Sequence, residues 1–153
     1  MPPGPEAWHE AGHALVAHLQ GGLVREVTLE SERDEAEGHC TVVWQRTAPA
    51  PEARRHAAVA LAGPVAELVF LGELVLDNTT ALSSWRADWD EAEAQLERLH
   101  LDVEERERTR FAILQELHEI FDGPRNHERL ARIADALHAH TTLDETLFQE
   151  ALH

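Results

Sequence analysis

Near the N-terminus the chain reads His9-Glu10-Ala11-Gly12-His13. Two imidazoles four residues apart on a helix lie nearly one above the other, about 40° out of register and about 6 Å along the axis. So placed, His9 and His13 can hold one zinc ion. Glu10 stands roughly 100° round the same helix, where its carboxylate can reach a water at the ion. Zinc lowers the pKa of such a water to about 7, and a carboxylate base then takes its proton as it attacks a carbonyl. The same carboxyl group can pass the proton to a leaving amine. The chemistry implied is amide hydrolysis. The plain alternative is two surface histidines on an exposed face. Small neighbours at Ala11 and Gly12, which let other backbone approach, argue against it. His18 does not extend the motif. Longer zinc motifs need Gly three residues and His six residues after the second His, and those positions are Val16 and Leu19. His18 is expected to be solvated.

A third ligand is available in the segment from Ser84 to His100. Trp85, Trp89, Ala92, Leu96 and Leu99 mark one apolar stripe at spacings of three and four, and Asp88 falls within it. Asp90, Glu91, Glu93 and Glu97 fall elsewhere and can face water. A carboxylate on a buried stripe costs several kcal/mol unless it is paired or bound to metal. Two readings stay open at this point. Asp88 completes the zinc site, or it sits near a helix start with the dipole and Arg86 as partners.

These residues need elements to hold them. From Glu6 to Leu19 the apolar positions recur at helical spacing, and Gly21-Gly22 ends the pattern. Leu23 to Ser31 alternates as a half-buried strand, with Leu23, Arg25, Val27 and Leu29 on one side. A charged turn, Glu32 to Glu37, leads to a second strand, His39 to Arg46, with Cys40, Val42 and Trp44 on one face. The two strands are expected to pair as a hairpin. After Ala48-Pro49-Ala50-Pro51, a helix over 52–71 is apolar almost all round after His56 and should be buried, with a kink at Pro64. Residues 72–80 read as a loop. Ser83 or Ser84 can cap a helix running to about His100. Helical segments follow at 103–121, 126–140 and 143–152, the last with capping-box spacing from Thr142 to Glu145. The fold class is mostly α (α+β), a helical domain with one small β-hairpin.

Composition narrows the function. The 153 residues suit a single domain with a buried core, preceded by a loose stretch over 1–5. The formal charge is −16, with 13 basic residues, all Arg, against 29 acidic. Nucleic acid and anionic membrane surfaces both require basic faces, so neither is expected as a partner. No run of about 20 apolar residues is present to span a membrane, and the N-terminal residues carry no secretory pattern. The single cysteine, Cys40, suits a reducing, cytoplasmic compartment. A strand cysteine among apolar neighbours reads as core. Most of the remaining histidines read as surface residues.

With these residues on the page, the chain resembles the peptidase domain of FtsH-type (AAA-associated) zinc metalloproteases. Residues 8–16, Trp-His-Glu-Ala-Gly-His-Ala-Leu-Val, look like that family's zinc-binding helix. Residues 24–29 resemble the strand after it, and 38–44 resemble its Gly-aromatic strand. Residues 58–67 are similar to its Leu-x-Gly-Gly/Arg-x-Ala-Glu helix. Asp88-Trp89-Asp90-Glu91-Ala92 is similar to its Asp-Leu-x-x-Ala segment, and 143–147 to its C-terminal Glu-Thr-Leu segment. The resemblance implies a zincin-like fold, Zn2+ held by His9, His13 and Asp88, and Glu10 as catalytic base. Departures are also plain. The family's ATPase module, its phosphate-binding loop and its membrane anchor have no counterpart in these residues. The Thr-Gly-Ala-x-x-Asp approach to the third ligand is replaced by residues 81–88 without the glycine, and the basic residue after Gly63 is Pro64.

The function expected from all this is zinc-dependent hydrolysis of unfolded or flexible protein and peptide substrates, ATP-independent by itself. Folded substrates would need a separate unfoldase partner. The helix-rich packing also offers surface for a homo-oligomer. The first alternative is an inactive relative whose zinc is structural and which binds a protein partner. The second is a different zincin in which a Glu, and not Asp88, completes the site.

Overall fold

In a computed structural model of the chain, the residues described are 1–30, 38–72 and 85–153. Their order is α1 (Pro5–Leu19), β1 (Leu23–Thr28), β2 (His39–Val43), α2 (Pro49–Leu71), α3 (Arg86–Glu97), α4 (Val103–Asp122), α5 (Pro124–His140), β3 (Thr142–Asp144) and α6 (Glu145–Leu152). The fold is mostly helical with one small antiparallel sheet, as the periodicity indicates. The charged turn at 32–37, most of the 72–80 loop and the serines at 83 and 84 lie outside the described residues.

The helices α1 and α2 form the centre. Ala11, Ala14, Leu15 and Val16 of α1 are fully buried, as are Ala57, Leu61, Ala62 and Ala66 of α2. Small residues let the two backbones approach closely. At Gly12 a Cβ would lie 2.5 Å from the Ala66 Cβ and 2.6 Å from the Ala62 carbonyl oxygen. The helix α2 runs through Pro64 as one element. Around this pair, α4, α5 and α6 close the core with Ile113, Leu117, Phe121, Leu130, Ile133, Leu137 and Phe148. Asp102 caps α4 by accepting from the Glu105 N–H at 2.8 Å.

The sheet has the order β2-β1-β3, so the expected hairpin forms and a third strand joins it. Only three residues long, β3 is too short to show a period. Leu143 fills the core from it, and the Thr142 and Thr28 hydroxyls bond at 2.7 Å. This corrects the sequence reading in two ways. Residues 142–144 belong to a strand, and α6 is capped by Asp144, which accepts from the Leu147 N–H at 2.9 Å. The alternation along β1 also fails. Val24 and Val27 are both buried because Val24 pairs with Val42 and Glu26 with Thr41, leaving Arg25 as an extra residue. Such a bulge resets which side of the strand faces the core. Along β2, Cys40 and Val42 alternate with exposed neighbours as expected, with Trp44 following in phase.

Candidate metal centre

Four elements converge around the middle of α1. His9 and His13 leave α1 on the side facing α2, Glu10 lies against Gly38 beside β2, and the ligand atoms of the three lie within 4.8 Å of one another. Asp88 arrives from the first turn of α3. Its Oδ2 lies 2.7 Å from His9 Nε2 and 3.3 Å from His13 Nε2. The structure therefore brings together all four residues singled out from the sequence. The Asp88 side chain is 23% exposed and its partners are the two histidines, whereas Asp90 is exposed.

The other ring nitrogen of each histidine is fixed from α2. His9 Nδ1 donates to Glu67 Oε1 at 3.0 Å, and His13 Nδ1 donates to the Val59 carbonyl at 2.7 Å. These bonds turn both Nε2 atoms toward Asp88. A carboxylate or carbonyl behind a ligating imidazole is the usual way its ring orientation and tautomer are set. Glu67 is shared, since its Oε2 accepts from the Trp85 indole N–H at 3.0 Å. Gly63 lies directly against the rings. A Cβ there would collide with His13 Nε2 and lie 2.8 Å from His9 Nε2. His56, Ala60, Gly63 and Glu67 recur along α2 at helical spacing and make one stripe facing the site.

The electrostatics favour positive charge where these side chains meet. Burial works against charge on His9, but hydrogen bonds to Asp88 and Glu67 outweigh it and push the ring up to about 10. His13 moves the same way. Its burial is opposed by the hydrogen bond to Asp88 and by the fields of Asp88 and Glu10. Burial would raise the Asp88 carboxyl, yet its bonds to His13 and His9 hold it well below the usual carboxylate range. A divalent metal supplies the same sign of charge in place of the ring protons. Geometry fits as well. Donor atoms on one tetrahedral zinc lie about 3.3 Å apart. The His13–Asp88 pair has that separation at 3.3 Å, and the His9–Asp88 pair is drawn in to hydrogen-bond distance. Two imidazole nitrogens and one carboxylate oxygen are a donor set that suits zinc.

The centre opens onto a cleft of about 370 Å³. It is lined by Glu10 and His13 of α1, Asp88 and Glu91 of α3, Gly38, His39, Cys40, Val42 and Trp44 of the β2 region, and His56, Val59 and Ala60 of α2. Glu10 is 6% exposed and lines this cleft. Trp44 is held between the His56 ring, at 5.1 Å, and the Arg55 guanidinium, 4.4 Å from its centroid. Cys40 is half-buried, packed against the core on one side and lining the cleft on the other. Burial, with Glu10 nearby, pushes its thiol up to about 12.

His18 departs from the reading of the sequence. It is half-buried, stacked edge-on to Phe148 at 6.2 Å, and burial lowers its pKa. The Phe148 ring of α6 is its packing partner. The sequence reading missed the roles of Glu67, Val59 and Gly63 at the centre. Glu67 left a trace, as the carboxylate in the otherwise apolar part of α2 after His56.

No protein-family model matches the chain, and a search of the curated proteins finds no match. Among the described residues, no helix is long and apolar enough to cross a membrane.

Proposed function

We propose that this chain is a zinc-dependent peptidase acting on unfolded or flexible segments of protein or peptide. The observation that carries the reading is the convergence of His9 and His13 Nε2 on Asp88 Oδ2, with buried Glu10 alongside at an open cleft. The resemblance of residues 8–16 and 88–92 to FtsH-type peptidase segments is consistent with it. Zinc bound by these three side chains would polarise the substrate carbonyl and make water a nucleophile at neutral pH. His9, His13 and Asp88 hold the ion. Glu10 takes the proton from the attacking water and delivers it to the departing amine. Asp88 is favoured over Glu10 as the third ligand because one of its oxygens meets both histidines, which leaves Glu10 for the base.

The cleft also suits an extended chain. Among the described residues β2 is at the edge of the sheet, and its Cys40 and Val42 side chains line the cleft. A peptide laid along that edge can add a strand by main-chain hydrogen bonds. Structural zinc sites close the ion with four protein ligands, whereas catalytic sites use three and leave one position open. Among the described residues, three donors beside a cleft support the catalytic reading over a binding module with structural zinc. The lone Cys40 supports a cytoplasmic setting.

The test is Glu10→Gln, compared with wild type on unfolded casein alongside metal analysis. Gln keeps the shape but cannot take the proton. General-base help is worth about 100- to 10,000-fold, so the variant should retain one zinc and lose hydrolysis on that scale. If both proteins bind zinc and neither cuts casein, the peptidase reading gives way to the binding module.

A further inference from the structure

We infer that Trp85 is a positioning residue for this centre, seating Asp88 against the histidines through Glu67. The inference rests on the zinc reading above. Trp85 is the N-cap residue of α3 and is 3% exposed. Its indole N–H donates to Glu67 Oε2 at 3.0 Å, and the other Glu67 oxygen accepts from His9 Nδ1 at 3.0 Å. One carboxylate on α2 therefore ties the start of α3 to a proposed ligand on α1.

The position of Asp88 gives the tie its consequence. Asp88 follows Trp85 by three residues, about 4.5 Å along the axis and on the same side of the helix. The fully buried residues of α3 itself are Ala92 and Leu96, one and two turns further on. The first turn, which carries Asp88, is thus fastened through Trp85. A helix end without such a fastening frays, and a ligand on a fraying turn binds weakly. The bond acts in the other direction too. Without the indole donor, Glu67 loses one of its two partners, and the orientation it imposes on His9 loosens.

The experiment uses the full chain with Trp85→Phe, which keeps an aromatic ring in the site and removes the N–H. Zinc affinity, read by competition with a chromophoric chelator, should fall about 10- to 100-fold, the range seen when an outer partner of a ligand is removed. The visible absorption of the cobalt-substituted protein should change with it, since packing loss alone leaves the ligand field unaltered. In an Asp88→Ala background the same substitution should cost clearly less than in wild type, since only the route through His9 remains and residues acting through one another are not additive. Wild-type affinity and cobalt spectrum in Trp85→Phe, or full additivity with Asp88→Ala, would overturn the inference and leave the zinc reading standing. A wild type that takes up neither zinc nor cobalt would sink both. Should Trp85→Phe fail to fold, NMR of the wild type decides. The Trp85 indole N–H should be protected from exchange and should shift on zinc addition, and a signal that ignores zinc overturns the inference.

Discussion

Gly63 offers the sharpest separation between the metal centre and the fold around it. An added Cβ would collide with His13 Nε2, approach His13 Cε1 to 2.7 Å and approach His9 Nε2 to 2.8 Å. Ordinary contacts between such atoms are about 3.5 Å or more, so in Gly63→Ala both rings must withdraw by several tenths of an ångström or more. Metal ligands tolerate errors of about 0.2 Å. Stability responds differently. Alanine gains about 1 kcal/mol over glycine inside a helix, while overpacking typically costs about 1–3 kcal/mol. The net loss is then about 0–2 kcal/mol, or roughly 0–8 °C in a domain of this size. Gly63→Ala should therefore fold, melt close to the metal-free wild type and bind zinc at least 100-fold more weakly. The assay is a thermal melt of each protein with added zinc and with chelator. Wild type should gain about 4 kcal/mol when free zinc is a thousandfold above its dissociation constant. At the same free zinc, Gly63→Ala, bound at least 100-fold more weakly, should gain no more than about 1.4 kcal/mol. Equal zinc-dependent stabilisation in the two proteins would refute the proposed placement of the ion between the rings. A His9→Ala/His13→Ala double variant controls for adventitious binding by the other nine of the 11 histidines.

Asp88→Ala should weaken zinc binding far more than Asp90→Ala, because Asp88 meets both imidazoles and Asp90, about 200° further round α3, is exposed; calorimetric titration of both variants checks this, and equal losses would contradict it. Cys40, whose thiol is pushed from 9.0 to about 12 by burial and then by Glu10, should be alkylated by iodoacetamide at pH 8 about a thousandfold more slowly in the native protein than in urea. The sign is that of an acid raised by folding. Between pH 9 and 12 the unfolded chain gives up the thiol proton and the native chain keeps it, so stability falls as pH rises through that window, measurable by urea melts of wild type against Cys40→Ala.

Much of this molecule follows from short-range patterns. The pairing of His9 with His13 depends only on helix geometry across four residues, and the apolar stripe containing Asp88 depends only on periodicity within α3. The mostly helical class and the β1–β2 hairpin follow from the same local rules. What the sequence left open was decided by distance in the chain. Asp88 lies 79 residues from His9, and the packing of α1 and α3 against α2 brings them together. The tautomers and ring directions depend on Glu67 and on the Val59 carbonyl, and a backbone oxygen leaves no mark on the sequence. Gly63 has meaning only once two rings from another helix press on it. The bulge at Arg25 and the three-residue strand β3 are settled by pairing with partners elsewhere in the chain, which overrides a period of two. Residue type and local spacing determined which groups could do the chemistry. Long-range packing decided which groups meet, because that contact is made between elements whose sequences carry no record of one another.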